Sequence, residues 1–201
     1  MVASARAEFG GIDVPVDNPG NVRAGRLEGI DEPEVMGQVG VNLTAPMLLT
    51  RAALPSLRES DRGLVIDVSS GIALIAVPLY ATDAATKAGI APFGPALRRE
   101  LYDEGGHVRT VYPDATSIPM MQPSKAGAAQ GFEYEPPESP ADATAEATVE
   151  AILDGSVTVV RGGQPGRDLN ATNREDLSSV DRMLPERQPL LENAAPAHTG
   201  I

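Results

Sequence analysis

The sequence contains no cysteine and no tryptophan, and aromatic residues make up only 3% of its 201 positions. The absence of cysteine excludes a disulfide scaffold, a thiolate metal site and a cysteine nucleophile. The shortage of aromatic side chains means that the core must be aliphatic, which is possible because 42% of the residues are apolar.

Basic residues and long apolar runs are also scarce. Sixteen Lys and Arg stand against 28 Asp and Glu, which gives a net charge of −12 and a pI near 4.5. Nucleic acids and anionic membranes need a basic surface, so we expect neither as a partner. No stretch approaches the ~18 consecutive apolar residues of a membrane span, and the first residues lack a signal-peptide pattern. We therefore expect a soluble, cytoplasmic protein. The two histidines, His107 and His198, are far apart in sequence, so we expect no metal site.

Short apolar runs typical of strands alternate with stretches of helical spacing. The predicted strands cover 12–18, 63–70, 107–113 and 156–160, and the predicted helices cover 31–57, 84–104 and 139–154. Residues 1–11 read as the end of a helix that Gly10 and Gly11 close. This alternation favours an α/β fold with a mostly parallel sheet and helices on both faces. We assign the domain to 1–163 and a polar tail to 164–201.

Two local signals mark the predicted long helices. The first begins with a capping-box pattern, because Asp31 stands three residues before Glu34. The second carries Pro92 and Pro95 in its interior, where each proline costs about 3 kcal/mol by removing a backbone hydrogen bond and crowding the preceding turn.

Three segments, in this order and with this spacing, resemble the short-chain dehydrogenase/reductase family. They are VDNPG at 16–20, VNLTAP at 41–46 and VSSGIALIAVPLYATDAATKAG at 68–89. The resemblance extends over roughly residues 5–163. It implies a Rossmann-like fold, NAD or NADP as the cofactor, and hydride transfer between that cofactor and a small carbonyl or alcohol substrate.

The resemblance also assigns catalytic positions. Asn42, Ser70 and Lys87 match the family's water-relay asparagine, its polarising serine and the lysine that lowers the pKa of the tyrosine. The family's proton-donating tyrosine stands four residues before the lysine, and here that residue is Asp83. We expect Asp83 and Lys87 to form an i, i+4 ion pair that keeps the pKa of Asp83 low and leaves it no proton to give at neutral pH. Tyr80 is the alternative acid, although it lies seven residues from Lys87, about 10 Å along a helix.

Five cofactor-binding positions follow from the same resemblance. They are Asn18, Gly20, Lys87, Pro113 and Ile118. A dinucleotide-binding fold opens with a strand, a Gly-rich turn and a helix whose N-terminus receives the pyrophosphate. No such turn precedes the predicted strand at 12–18, since Gly10 and Gly11 follow a helix. We therefore expect the first two βα units to be absent, and the pyrophosphate contacts of NAD or NADP with them.

Three interpretations remain open. The first is a degenerate family member with little or no turnover. The second is an active oxidoreductase whose cofactor half comes from a further N-terminal segment or from another chain. The third is a non-enzymatic interaction module. The resemblance also implies self-association, because 31–57 and 84–104 correspond to the helices through which the family commonly dimerises, and an exposed strand at 12–18 would favour association.

Overall fold

The computed structural model of the chain describes residues 1–104, 107–113, 116–117, 139–161 and 164–183. The helices in these ranges are α1 Val2–Phe9, α2 Glu32–Val39, α3 Ala45–Glu59, α4 Ile72–Ile75, α5 Ala81–Glu100, α6 Ala141–Leu153, α7 Gln164–Glu175 and α8 Leu177–Met183. The strands are β1 Val16–Asp17, β2 Leu64–Val68, β3 His107–Tyr112, β4 Thr116–Ser117, β5 Ser139–Pro140 and β6 Thr158–Val160. Short 3₁₀ turns lie at Leu27–Gly29 and Tyr102–Glu104, and a π-helical turn lies at Gly40–Thr44.

The main sheet has four parallel strands in the order β1-β2-β3-β6. This confirms the predicted α/β class and parallel sheet. The strand expected over 12–18 is shorter than predicted, although pairing begins earlier: Leu64 N–H donates to the Asp13 carbonyl and Ile66 N–H to the Pro15 carbonyl. Pro15 has no N–H of its own to donate to β2, which limits the regular strand to Val16 and Asp17.

The first long helix is continuous but not uniformly α-helical. Its N-terminus is capped as predicted, because the Asp31 carboxylate accepts a 2.8 Å hydrogen bond from Glu34 N–H. Between α2 and α3 the chain forms the π-helical turn, which inserts an extra residue and changes which side chains point inward. The buried Asn42 lies within this turn.

Helices cover both faces of the sheet. On one face, α3 and α5 pack on β2 and β3 through the buried side chains of Ala53, Leu57, Val65, Leu97, Leu101 and Val108. On the other face, Ile152 of α6 packs on a smaller cluster of strand residues. Alternation of side chains along β2 explains the split, since Val65 faces α3 and α5 whereas Ile66 belongs to the second cluster. Both interior prolines predicted for α5 lie inside it.

Part of the predicted polar tail is helical. Residues 164–183 form α7 and α8, and Val180 of α8 is only 1% exposed. Asn173 Nδ2 donates a 3.0 Å hydrogen bond to the Leu74 carbonyl, which ties α7 to α4. These helices were not predicted from the sequence, because α7 has few apolar residues and depends on contacts with a distant part of the chain. Among the described helices, none combines the length and apolar character needed to cross a bilayer.

Candidate active site

The candidate site lies where the parallel strands end. Asn18 follows β1, Ser69 and Ser70 follow β2, and Pro113 follows β3. The backbone continues to pair past the strands, because Ser69 N–H donates to the Val111 carbonyl and Gly71 N–H donates to the Pro113 carbonyl, each at 2.8 Å. The carboxyl end of a parallel sheet is the usual location of ligand sites in open α/β folds.

Asn42 connects three segments of this site. Its side chain is 1% exposed. Asn42 Oδ1 accepts a 2.8 Å hydrogen bond from Asn21 N–H, and Nδ2 donates at 2.7 Å to the Asn21 carbonyl. The same Nδ2 approaches Asp83 Oδ1 at 3.3 Å and Thr86 Oγ1 at 3.2 Å. The π-helical turn therefore places a side-chain amide between the loop after β1 and the first turns of α5.

Lys87 points to the loop after β1 rather than to Asp83. Its Nζ donates a 2.8 Å hydrogen bond to the Pro19 carbonyl. Within the described part of the chain, no direct ion pair joins Lys87 to Asp83, so the predicted i, i+4 ion pair is wrong. The physical reason is that each group has another partner: Pro19 accepts from the ammonium, and Asn42 donates to the carboxylate. The two charges interact through space alone.

The protonation expected for Asp83 is also corrected. Burial raises the pKa of Asp83, and the opposing effect of the nearby Lys87 charge is smaller. Burial likewise lowers the pKa of Lys87, with the Asp83 charge acting in the other direction. The expectation of a carboxyl pKa held low by an ion pair is therefore wrong. Desolvation outweighs attraction here because both groups are largely enclosed and are not in direct contact.

The two serines have different roles. Ser69 is buried, and its Oγ donates a 2.8 Å hydrogen bond to the Lys87 carbonyl, which ties the end of β2 to α5. Ser70 is partly exposed, and its Oγ accepts a 3.3 Å hydrogen bond from Ile72 N–H. Because the Ser70 oxygen acts as an acceptor, its hydroxyl hydrogen can donate to a substrate oxygen.

Tyr80 lies in the wall of the site. It immediately precedes α5 and packs with Val77 against the buried Ala24 and Leu79. Leu79 has a positive φ of 69°, and its carbonyl accepts a 2.8 Å hydrogen bond from Gly25 N–H. Non-glycine residues rarely adopt this conformation, and such strain clusters near functional sites. The substitute-acid role of Tyr80 stays a prediction.

The cofactor-binding positions are only partly brought together. Asn18 is exposed, Gly20 and Pro113 are partly exposed, and all three lie at the carboxyl end of the sheet. Lys87 contacts the carbonyl of Pro19, which stands between Asn18 and Gly20. Ile118 lies outside the described residues. The Lys87 ammonium has three N–H donors, of which Pro19 engages one. The described residues therefore fit the nicotinamide and ribose end of NAD or NADP. They contain no Gly-rich turn between a strand and a helix that fits its pyrophosphate.

Thr86 and Asn21 belong to the site but were not predicted. Thr86 is 2% exposed and donates through Oγ1 to the Asp83 carbonyl at 2.9 Å while it accepts from Asn42. A signal for Thr86 was present, since it lies three residues after Asp83 and next to Lys87. Asn21 acts through its backbone, which no sequence pattern identifies. The described residues contain no group of three or more His, Cys, Asp or Glu that could hold a metal ion.

Comparison with known proteins places the chain among the short-chain dehydrogenases. Residues 1–129 match the family described as short chain dehydrogenase. This match covers more than half of the chain, so the protein belongs to that family.

Two individual relatives support the same family assignment. A short chain dehydrogenase of Pseudocercospora fijiensis is 41% identical over 130 residues, which are 63% of this chain and 41% of the relative. The 3-oxoacyl-[acyl-carrier-protein] reductase of Vibrio cholerae is 34% identical over 115 residues, 57% of this chain and 47% of the relative. The chain thus matches less than half the length of these relatives.

A solved structure shows the same fold. A short chain dehydrogenase from Burkholderia cenocepacia, crystallised with NADP, superposes with a TM-score of 0.74 and 23% sequence identity. The superposition covers 91% of this chain and 73% of that one. The Rossmann-like fold predicted from the sequence is confirmed.

Proposed function

We propose that the chain carries the substrate side of a short-chain dehydrogenase site for a small carbonyl or alcohol, with turnover reduced by Asp83. The observation that carries the proposal is that Asn42 donates to Asp83 while the nearby Lys87 interacts with Asp83 through space and binds the loop after β1, all at the carboxyl end of the sheet. Family membership supports NAD or NADP as the cofactor class.

The described side chains would act at the nicotinamide end of the cofactor. Bound NAD or NADP would supply or accept the hydride. Lys87 would hold the ribose with the donors that Pro19 leaves available, and the exposed Asn18 would border the same position. Ser70 would donate its hydroxyl hydrogen to the substrate oxygen and polarise the carbonyl bond.

Asp83 would be a poor replacement for a tyrosine because its side chain is too short to extend as far toward the substrate. A carboxyl group is several bonds shorter than a phenol, and Asp83 Oδ1 is held 3.3 Å from Asn42 Nδ2. Burial favours its protonated form, so the carboxyl retains some capacity to hold a proton. The limiting factor is then the position of the proton rather than its absence. General acid catalysis contributes roughly 10²–10⁴-fold, so misplacement of this group would reduce turnover without abolishing ligand binding.

Titration calorimetry with NAD, NADP and their reduced forms, followed by a reductase assay on small ketones, tests the proposal. We expect heat of cofactor binding from both the unaltered chain and Asp83→Tyr, with at least a tenfold higher reduction rate for the variant. Asp61→Tyr is the matched control, because Asp61 is exposed in the turn before β2. No binding heat from either protein would overturn the proposal, as would equal rates with and without the tyrosine.

We also propose that the chain self-associates through its two long helices, the run from α2 to α3 and the helix α5, and the exposed apolar side chains of the α2–α3 run provide a test. Met36 and Leu48 lie on this run, and their large apolar side chains are 59% and 54% exposed. A second copy of the chain is the occupant we expect. The β1 edge, where Val16 is exposed and the described strands provide no outer neighbour, would favour the same outcome.

A further inference from the structure

A row of polar side chains crosses the buried face of the sheet. Asp17 of β1 is in register with Asp67 of β2, and Asp67 is in register with Thr110 of β3. Neighbours in register on parallel strands point to the same face. This is the face that α3 and α5 cover, so two carboxyl groups lie side by side beneath two helices.

The two carboxyl groups are not equally supported. Asp17 is 6% exposed, and its Oδ2 accepts a 2.6 Å hydrogen bond from Thr50 Oγ1 of α3. Asp67 is 0% exposed, and neither of its oxygens has a hydrogen-bond partner among the described residues. A buried ionised carboxylate without donors is strongly unfavourable. The arrangement therefore favours the charge on Asp17 and a proton on Asp67.

The space around Asp67 is closed by α5. A Cβ atom built on Gly94 would contact Thr110 Oγ1 and would lie 2.9 Å from Asp67 Oδ2. The helix backbone thus presses directly on both side chains and leaves little space for a cation with its ligands. A proton is the charge compensation that fits this packing.

The charge that raises the pKa of Asp67 is the negative charge of Asp17 on β1. Tyr112 on β3 is another titratable neighbour, and the Arg174 charge of α7 acts on Tyr112. At this level α3 and α5 contribute the uncharged Thr50 and Gly94. Burial raises the pKa of Asp67, the charge of Asp17 raises it further, and together they bring it to about 7. Burial also raises the pKa of Asp17, while the Thr50 hydroxyl lowers it. The two groups titrate as a coupled pair.

We propose that the Asp17–Asp67 pair holds a single proton in the folded protein, carried by Asp67, and that loss of this proton as the pH rises places two negative charges beneath α3 and α5 and makes the fold pH-sensitive. This function is independent of hydride-transfer chemistry. It involves the β1 edge, the strand that also ends at Asn18 and Pro19.

The sign of the effect follows from linkage. Asp67 has a raised pKa in the folded state and a pKa of about 3.9 when unfolded. Its contribution to stability is fully present below about pH 4, is lost as the pH rises to about 7, and changes no further above that. Over that interval the unfolding equilibrium constant would increase by up to about tenfold per pH unit on account of this group.

Urea unfolding of the full chain between pH 4.5 and 8.5 tests the proposal, with Asp67→Asn and, as control, the exposed Asp61→Asn. We expect the unfolding constant of the unaltered protein to rise relative to Asp67→Asn by at least tenfold from pH 5 to 7 and then to stay level. Asp61→Asn should keep the behaviour of the unaltered protein. Parallel curves for the unaltered protein and Asp67→Asn would overturn the proposal.

A second measurement does not depend on the folding of a variant. Carboxyl carbon NMR of the unaltered protein with labelled aspartate, with the Asp67 resonance assigned through its backbone, should show that this resonance titrates close to neutral pH. If the Asp67 resonance completes its titration below pH 5.5, Asp67 does not carry this proton.

Discussion

Asn42 Nδ2 and Asp83 Oδ1 lie 3.3 Å apart, although their positions differ by 41 in the chain. The contact joins the π-helical turn, which contains Asn42, to the first turn of α5, which contains Asp83. It uses the residue at the family's asparagine position to hold the carboxyl that stands at the tyrosine position. Asp83 is therefore part of a defined network, which is why its replacement has predictable consequences.

Replacement of Asn42 by alanine should destabilise the fold. Asn21 N–H and its carbonyl would both lose buried partners at 2.8 and 2.7 Å. An unsatisfied buried polar group costs about 1–3 kcal/mol, so we expect a loss of about 2–4 kcal/mol in the free energy of unfolding, measured by urea titration. Asn18→Ala serves as control, because Asn18 is exposed. Equal stability of the two variants would show that the Asn42 network contributes little.

Removal of the Lys87 charge should raise the pKa of Asp83. The Lys87 charge opposes the effect of burial on this carboxyl, so Lys87→Met leaves burial unopposed. The folded-state pKa would then lie further above the unfolded one, and stability would decline over a wider interval as the pH rises. Carboxyl carbon NMR of Asp83 gives the direct measurement. Arg99→Met, an exposed change near the other end of α5, should leave the titration unchanged, and a fall in the Asp83 pKa in Lys87→Met would contradict the prediction.

Alanine at position 94 should be poorly tolerated. The added Cβ would clash with Thr110 Oγ1 and approach Asp67 Oδ2 at 2.9 Å. Overpacking of a filled core costs typically about 1–3 kcal/mol, which thermal or urea unfolding would detect. Gly40→Ala is the helical control, since nothing lies within 4 Å of its added Cβ. A second change, Thr110→Ala, should recover part of the loss, because it removes one of the two clashing groups. Failure of the double variant to recover any stability would place the strain elsewhere.

Leu48→Glu should weaken self-association. The side chain is 54% exposed on α3, and a charge there would have to be desolvated in an interface between two copies. Light scattering coupled to gel filtration should show a shift toward the monomer at equal concentration. Leu153→Glu is the comparison, because Leu153 is 81% exposed on α6 beyond the opposite face of the sheet. If both variants behave like the unaltered protein, the interface does not involve the α2–α3 run.

Local sequence signals located most of the elements correctly. The Asp31 cap, the helix stop at Gly10 and the prolines inside α5 were all predicted, because each acts on the backbone within one or two turns. The length of β1 was overestimated, because regular pairing with β2 needs a backbone N–H that Pro15 does not have. Helices α7 and α8 were missed because they depend on contacts such as the one from Asn173 to Leu74.

The sequence by itself determined the alternating α/β order, the family, and the positions of Asn42, Ser70, Asp83 and Lys87. Only the tertiary structure decided what these side chains do. It turned Asn42 inward through a π-helical turn, directed Lys87 to Pro19 and raised the pKa of Asp83. It also placed Asp17 beside Asp67 across two strands. Burial and cross-strand contacts arise between residues that are distant in the chain, so the spacing that locates a residue does not specify its protonation or its partner.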